Sequence, residues 1–319
     1  MGRENFGAET TTDQVLDGID LGGKQVVITG GASGIGKETA RAMAAKGANI
    51  IIPARNLEKG EAAAMEIKAA SGNENVDVMD MDLGSMESIR TFADAFHANH
   101  DQIDLLINNA GVMACPFAKT TDGLEMQFGT NHIGHFLMTN LLMPAILRGG
   151  SARIVNLSSR GHHRDEVHFE DPNFENREYE KWNAYGQAKT ANVQFSVGLE
   201  KRFADKGVHS YAVHPGGIVT NLGRHLNEAD VAELMARMKE SSGDGPVLKS
   251  VEAGAATTCY AATAPELEGK GGVYLEDCNV AEVNDADPAG SVRSYAVDPA
   301  KADELWSLSE EIVGQNFSY

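Results

Sequence analysis

The feature that most narrows what this chain can become lies between residues 25 and 36. A short β-branched run, Gln25–Ile28, ends in Thr29-Gly30-Gly31-Ala32-Ser33-Gly34-Ile35-Gly36, and a helical pattern follows over residues 35–46. Glycines here allow a tight turn and let a ligand approach the backbone closely, while the helix N-terminus offers free N–H groups and a partial positive charge. A glycine turn alone is a common loop. Set between a first strand and a first helix, with a second strand ending near residue 54, it reads as a cradle for the pyrophosphate of a dinucleotide. Gly47 follows the last position of that helical pattern and is its expected C-cap.

Further apolar runs follow at 48–52, 76–79, 105–107, 154–157, 208–213 and 273–275, mostly separated by helical stretches such as 58–70 and 85–97. Near-continuous apolar strands alternating with helices predict a parallel sheet buried on both faces. The expected fold class is α/β: a doubly wound Rossmann fold, a seven-stranded parallel sheet with helices on both faces, in a single domain. Residues 1–20 are polar and Thr-rich and read as an N-terminal surface arm with a short helix near 13–16. Residues 21–319 read as the one domain, with 222–249 as a helical flap over the substrate.

Hydrophobic residues make up 42% of the 319-residue chain, enough for such a core, and Asp and Glu outnumber Lys and Arg by 46 to 27. The resulting net charge of −19 repels polyanions, which excludes nucleic acid and anionic lipid as expected partners. Cys115, Cys259 and Cys278 are too few and too scattered for a disulfide framework or a C-x-x-C site. No apolar run is long enough to span a membrane, and no basic-then-apolar leader is visible, so the expected location is cytoplasmic.

The end of the second strand should face the adenosine ribose, where NAD-binding proteins place an acid that accepts from the 2′-hydroxyl. This chain reads Ile52-Pro53-Ala54-Arg55-Asn56. An acid would repel a 2′-phosphate, whereas the fork of Arg55 can bind one, so NADP(H) is favoured and NAD(H) stays possible. Asp82 and Leu83, just past the third strand, are placed to hold the adenine.

Spacing in the first turn, T-G-x-x-x-G-x-G, resembles the short-chain dehydrogenase/reductase superfamily. The resemblance continues in order through Asn108-Asn109-Ala110-Gly111, Asn131 in Thr130-Asn131-His132-Ile133-Gly134, Ser158-Ser159, Tyr185-Gly186-Gln187-Ala188-Lys189 and His214-Pro215-Gly216. Gly34-Ile35-Gly36-Lys37-Glu38-Thr39-Ala40, Ala54-Arg55-Asn56 and Asn131-His132-Ile133-Gly134-His135-Phe136 are similar to the retinol-dehydrogenase-like branch, which includes the catalytic domain of WW-domain oxidoreductases. The membrane helix of many retinol dehydrogenases and the WW domains are missing, which implies a soluble relative. The resemblance implies a catalytic tetrad of Asn131, Ser159, Tyr185 and Lys189. It also implies a cofactor site drawn from Gly30, Ser33, Gly34, Ile35, Asn108, Asn109, Ala110, Gly111, Pro215, Gly216, Ile218 and Thr220, besides Tyr185 and Lys189. Pairing through the helices after the fourth and fifth strands, as a homodimer or tetramer, is expected by the same analogy.

The residues support the central pair independently. Tyr185 and Lys189 are four apart in a stretch with apolar residues at Ala188, Ala191, Phe195, Leu199 and Phe203, so on a helix they share a face. A free phenol titrates near 10, and lowering it by about 2–3 units needs about 3–4 kcal/mol. One ammonium at about 4 Å supplies about 4 kcal/mol at an effective dielectric of about 20. Lys189 is therefore expected to tune Tyr185 for proton exchange and to hold the ribose. Ser159 is expected to steady the substrate oxygen: the resemblance implies the second serine for this role, and alternate side chains at a strand end point opposite ways, which leaves Ser158 facing away. Asn131 is expected to hold a water that relays protons to Lys189.

The stretch 160–183 is longer than the resemblance leads one to expect, and it holds His162, His163 and His168. These histidines lack carboxylate or cysteine partners at metal-binding spacing, so no metal site is expected. Loop packing and a pocket wall are the expected roles. Met113, Cys115, His162, Gly217 and Leu222, with Phe117 nearby, are the expected apolar substrate wall. The reading is an NADP(H)-dependent oxidoreductase passing hydride between nicotinamide and an apolar small-molecule alcohol, ketone or aldehyde. The rivals are a non-catalytic NADP(H)-binding sensor, an NAD-dependent dehydrogenase of the same fold, and a sugar-nucleotide epimerase or dehydratase.

Overall fold

The computed structural model describes residues 6–242 and 248–319, so residues 1–5 of the expected arm and 243–247 of the expected flap lie outside the described residues. Strands β1 (Gln25–Ile28), β2 (Asn49–Ala54), β3 (Val76–Asp80), β4 (Leu105–Asn108), β5 (Ala152–Leu157), β6 (Val208–His214), β7 (Val273–Glu276) and β8 (Asn279–Val280) form one sheet in the order β3-β2-β1-β4-β5-β6-β7-β8. Neighbours from β3 to β7 all pair parallel, and β8 pairs antiparallel with β7. The architecture is a Rossmann-like α/β fold with eight strands rather than the expected seven. Two consecutive left-handed residues, Asp277 (φ 50°) and Cys278 (φ 58°), reverse the chain into β8. A two-residue hairpin turn requires that conformation, but it is usually signalled by Asn-Gly or Asp-Gly, so Asp-Cys hid the turn.

Alternate side chains along each strand enter opposite cores. Val26, Ile28, Ile50, Ile52 and Val155 join one, and Val27, Ile51, Leu106 and Ile154 the other. The first core is covered by α1 (Thr12–Val15), α2 (Gly34–Ala44), α3 (Leu57–Ser71) and a later helix, Val251–Thr263. The second is covered by α4 (Met86–Asn99), the short α5 (Met126–Phe128), α6 (Gly134–Arg148), α7 (Lys181–Phe203) and a C-terminal helix, Pro299–Val313. Between α7 and those last two helices lies α8 (Glu228–Ser242), in the expected flap; Val251–Thr263 is α9 and Pro299–Val313 is α10. Local chemistry sets the ends. Asn56, Ser85 and Ser250 cap α3, α4 and α9, and Gly72 closes α3 in the left-handed region.

The described part of the expected N-terminal arm packs on the domain through its short helix: Val15 and Leu16 are buried, Thr12 donates to Glu38 at 2.5 Å, and Asp13 pairs with Arg41 at 2.7 Å. Burying that apolar pair docks the segment on α2 and α9. Helix α10 packs along α7 and reaches α6 at Phe136. Trp306 stacks edge-on against Phe136 at 5.0 Å and lies under the Arg202 guanidinium at 4.2 Å.

Candidate active site

The strand order reverses between β1 and β4, which opens a crevice at their C-terminal ends. The glycine turn stands at its edge. Gly30 has φ +68°, and a Cβ there would sit 2.8 Å from Asn109 Nδ2. Ser33 precedes α2 but makes no side-chain cap, and no acid occupies the first turn. The first N–H groups of α2 thus keep their capacity for an anion, and this donor set fits a pyrophosphate. The floor is held through Thr29: its Oγ1 accepts from Asn109 N at 2.9 Å and Ala110 N at 3.0 Å. Asn108 lies beneath that floor rather than in it, because its Nδ2 donates inward to Thr139 at 3.0 Å and Asn156 at 2.8 Å.

Arg55, at the end of β2, is 77% exposed, with Nη1 3.9 Å from Asp82. Asp82 Oδ1 accepts from Gly84 N at 2.9 Å, and the Leu83 carbonyl lies where a Cβ on Gly134 would be, 2.4 Å away. The β3 turn is therefore locked against the start of α6.

Tyr185 and Lys189 lie one turn apart on α7, as their spacing requires, and both line a cavity of about 550 Å³ with Ser159. Asn131 sits in a π-helical turn, Gly129–Ile133, between α5 and α6. Its Oδ1 accepts from Val112 N at 2.8 Å and its Nδ2 donates to Val112 O at 2.9 Å. Gly111 lets this amide and the lysine converge: a Cβ there would lie 3.0 Å from Asn131 Oδ1 and 3.8 Å from Lys189 Nζ. Ser159 Oγ accepts from Gly161 N at 3.0 Å and hydrogen-bonds Tyr185, whereas Ser158 turns inward and donates to Lys189 O at 2.8 Å.

Burial works against the expected tuning of the phenol. Burial pushes Tyr185 up to about 12, with hydrogen bonding by Ser159 pulling the other way. Burial also pushes Lys189 down to about 7. Lys189 Nζ lies 5.6 Å from the Tyr185 ring centroid and donates to Leu157 O at 2.8 Å. Desolvation acts on both groups at once and weakens the charge that was to act on the phenol.

Among the expected cofactor residues, Ile35, Asn109, Gly111, Pro215, Gly216, Ile218 and Thr220 line the same cavity. Gly30, Ser33, Gly34, Ala110, Arg55, Asp82 and Leu83 are not in its lining; they belong to the glycine turn and the neighbouring strand ends. Of the expected substrate wall, Met113, Gly217 and Leu222 line it, and Cys115 and His162 do not. Cys115 is buried behind the wall, its carbonyl accepting from Tyr179 OH at 2.9 Å, and burial pushes its thiol up. His162 is fully buried, with Nδ1 2.7 Å from Ser159 O and Nε2 3.2 Å from Arg293 N. His163 lines the cavity in its place.

Trp182, from the stretch expected to supply a pocket wall, and a face of α8 (Val231, Leu234, Met235 and Met238), within the expected flap, supply apolar lining. Sequence reasoning missed two features. His135, bonded to Thr29 Oγ1 at 2.9 Å and to Asn131 O at 2.9 Å, links the glycine turn to the π-helical turn. Glu125, fully buried, accepts from Gln127 N at 2.9 Å and Phe128 N at 2.7 Å and takes a bond from Tyr179 OH at 3.3 Å. Through Tyr179 the stretch 160–183 therefore straps the helix that leads to Asn131. Among the described residues no group of three His, Cys, Asp or Glu could hold a metal ion, and no helix is long and apolar enough to cross a membrane.

A dinucleotide cradle that opens onto a serine, a tyrosine and a lysine in one crevice defines a nicotinamide-dependent oxidoreductase acting on CH–OH groups. The short chain dehydrogenase family model matches residues 24–231. Short-chain dehydrogenase/reductase prx1 of Penicillium roqueforti is 42% identical over 294 residues, 90% of this chain and 84% of that protein. Retinol dehydrogenase 12 of Homo sapiens is 42% identical over 296 residues, covering 93% and 88%. A crystal structure of an uncharacterized protein from Mycobacterium Paratuberculosis superposes with TM-score 0.71 at 32% identity, covering 100% and 99%. The chain belongs to the short-chain dehydrogenase/reductase family and resembles its retinol-dehydrogenase-like branch.

Proposed function

We propose that this protein is an NADP(H)-dependent reductase or dehydrogenase for apolar alcohols, ketones or aldehydes, built as one domain over residues 21–319. The observation that carries the reading is the meeting of Ser159, Tyr185 and Lys189 in a single cavity that runs on to the N-terminus of α2. When bound, the nicotinamide gives or takes the hydride. Ser159 donates its hydroxyl hydrogen to the substrate oxygen and stabilises the charge that grows there. Tyr185 gives that oxygen its proton in reduction and removes it in oxidation. Lys189, held near neutrality, passes the proton onward. Asn131 stands beside it across Gly111, with a second lone pair on Oδ1 to hold a water. Arg55 supports NADP(H) over NAD(H), because no acid at the end of β2 opposes a 2′-phosphate. Met113, Trp182, Leu222 and the apolar face of α8 support a nonpolar substrate.

The test follows the absorbance of reduced nicotinamide with a panel of apolar aldehydes and ketones, hexanal among them. Tyr185→Phe should lower kcat by about 10²–10⁴-fold while leaving cofactor affinity unchanged. Turnover that survives this change sinks the assignment.

A further inference from the structure

We propose that His162 is a positioning residue that aims Ser159, using a ring tautomer set by the backbone of Arg293. The inference rests on the reading of Ser159 as the group that meets the substrate oxygen. Arg293 N–H can only donate, so at 3.2 Å it requires a lone pair on His162 Nε2. The proton of the neutral ring then sits on Nδ1, which donates to Ser159 O at 2.7 Å. The same carbonyl accepts from the His162 backbone N–H at 3.0 Å. Two donors hold the carbonyl and so fix the peptide plane that follows Ser159. That plane leads to Gly161, whose N–H meets Ser159 Oγ at 3.0 Å. The hydroxyl oxygen is thereby engaged from behind, and its hydrogen is left to face Tyr185 and the cavity.

His162 is itself held from several sides. Its carbonyl accepts from Tyr295 OH at 2.5 Å and from Thr190 Oγ1 at 3.2 Å, and its ring packs on Tyr274 at a centroid distance of 4.9 Å. Burial keeps the ring neutral, pushing its pKa to about 3, so the contact persists across any practical assay pH. Arg293 and Tyr295 belong to the segment after β8. The chain's distal part thus bears on Ser159 through an imidazole that itself stays out of the cavity.

Two near-isosteres separate the two bonds of the ring. In His162→Asn the side-chain amide can occupy the place of Nδ1 and keep the bond to Ser159. In His162→Gln the amide oxygen can occupy the place of Nε2 and keep only the bond to Arg293. With NADPH and hexanal, His162→Asn should stay within about threefold of wild-type kcat, and His162→Gln should fall about tenfold, the worth of one well-formed hydrogen bond. KM for NADPH should not move in either. A Gln variant that retains kcat, or an Asn variant that loses as much as Gln, overturns the proposal. Ser159→Ala serves as the control. Retained kcat there removes the reading of Ser159 and this inference together, whereas lost kcat there with an unaffected His162→Gln removes this inference alone. Ring nitrogen NMR of the wild-type protein, assigned by the signal missing in His162→Asn, gives a readout that needs no turnover. A protonated Nδ1 and an unprotonated Nε2 are expected, and the opposite tautomer refutes the proposal.

Discussion

The Nζ of Lys189 donates to the carbonyl oxygen of Leu157, the last residue of β5, at 2.8 Å. Helix α7 is thus tied to the strand end that carries Ser159, and the amine of Lys189 is held largely out of bulk water. Burial lowers its pKa from 10.5 to about 7. The unfolded chain therefore holds this proton more tightly than the folded one between pH 7 and pH 10.5. The cost is fully present below pH 7 and fades as pH rises to 10.5. Lys189→Met should raise stability by about 1–3 kcal/mol at pH 6 and by nothing at high pH, while abolishing turnover. Urea unfolding at several pH values checks this; a gain independent of pH would contradict it.

Gly161 lies against the phenol. A Cβ added there would be 2.8 Å from Tyr185 Cε1 and 3.3 Å from Ser159 Oγ, so the ring must move. Gly161→Ala should lower kcat by about 10–100-fold, the effect of misplacing a reacting group by about 1 Å. Cofactor affinity, measured by fluorescence titration, should be kept.

Arg55 is free to serve a ligand. Its pairing with Asp82 is long, at 3.9 Å, and exposed, so it contributes little to the fold. Arg55→Ala should raise KM for NADPH by about tenfold, leave KM for NADH nearly unchanged, and keep thermal stability. Equal losses for the two cofactors would argue against a 2′-phosphate contact.

Helix α10 packs along α7 and reaches α6 at Phe136. Light scattering should therefore return a monomer mass for the wild-type chain. Trp306→Ala should cost about 3–5 kcal/mol in unfolding free energy, because it empties a contact with Phe136 and with Arg202. A stable dimer that survives this substitution would require a pairing surface elsewhere.

Much of the fold was legible because its signals are local. The glycine turn, the near-continuous apolar strands and the four-residue spacing of Tyr185 and Lys189 each depend on neighbours in the chain. The eighth strand was not legible, since its turn uses Asp277 and Cys278 in a conformation their identities do not advertise. The docking of Val15 and Leu16 also escaped a local reading, because burial is decided by what folds back onto them.

The site divides in the same way. Chain order alone determined the cradle, the Ser159, Tyr185 and Lys189 set, and the absence of an acid at the end of β2. Folding decided that His162 leaves the substrate wall to support Ser159 from behind, and that Lys189 gives its ammonium to Leu157. It also decided that α10 packs along α7 and sets Trp306 against Phe136. These depend on partners 3 to 170 positions away and on burial, and neither distance in space nor burial is written in a residue's neighbours.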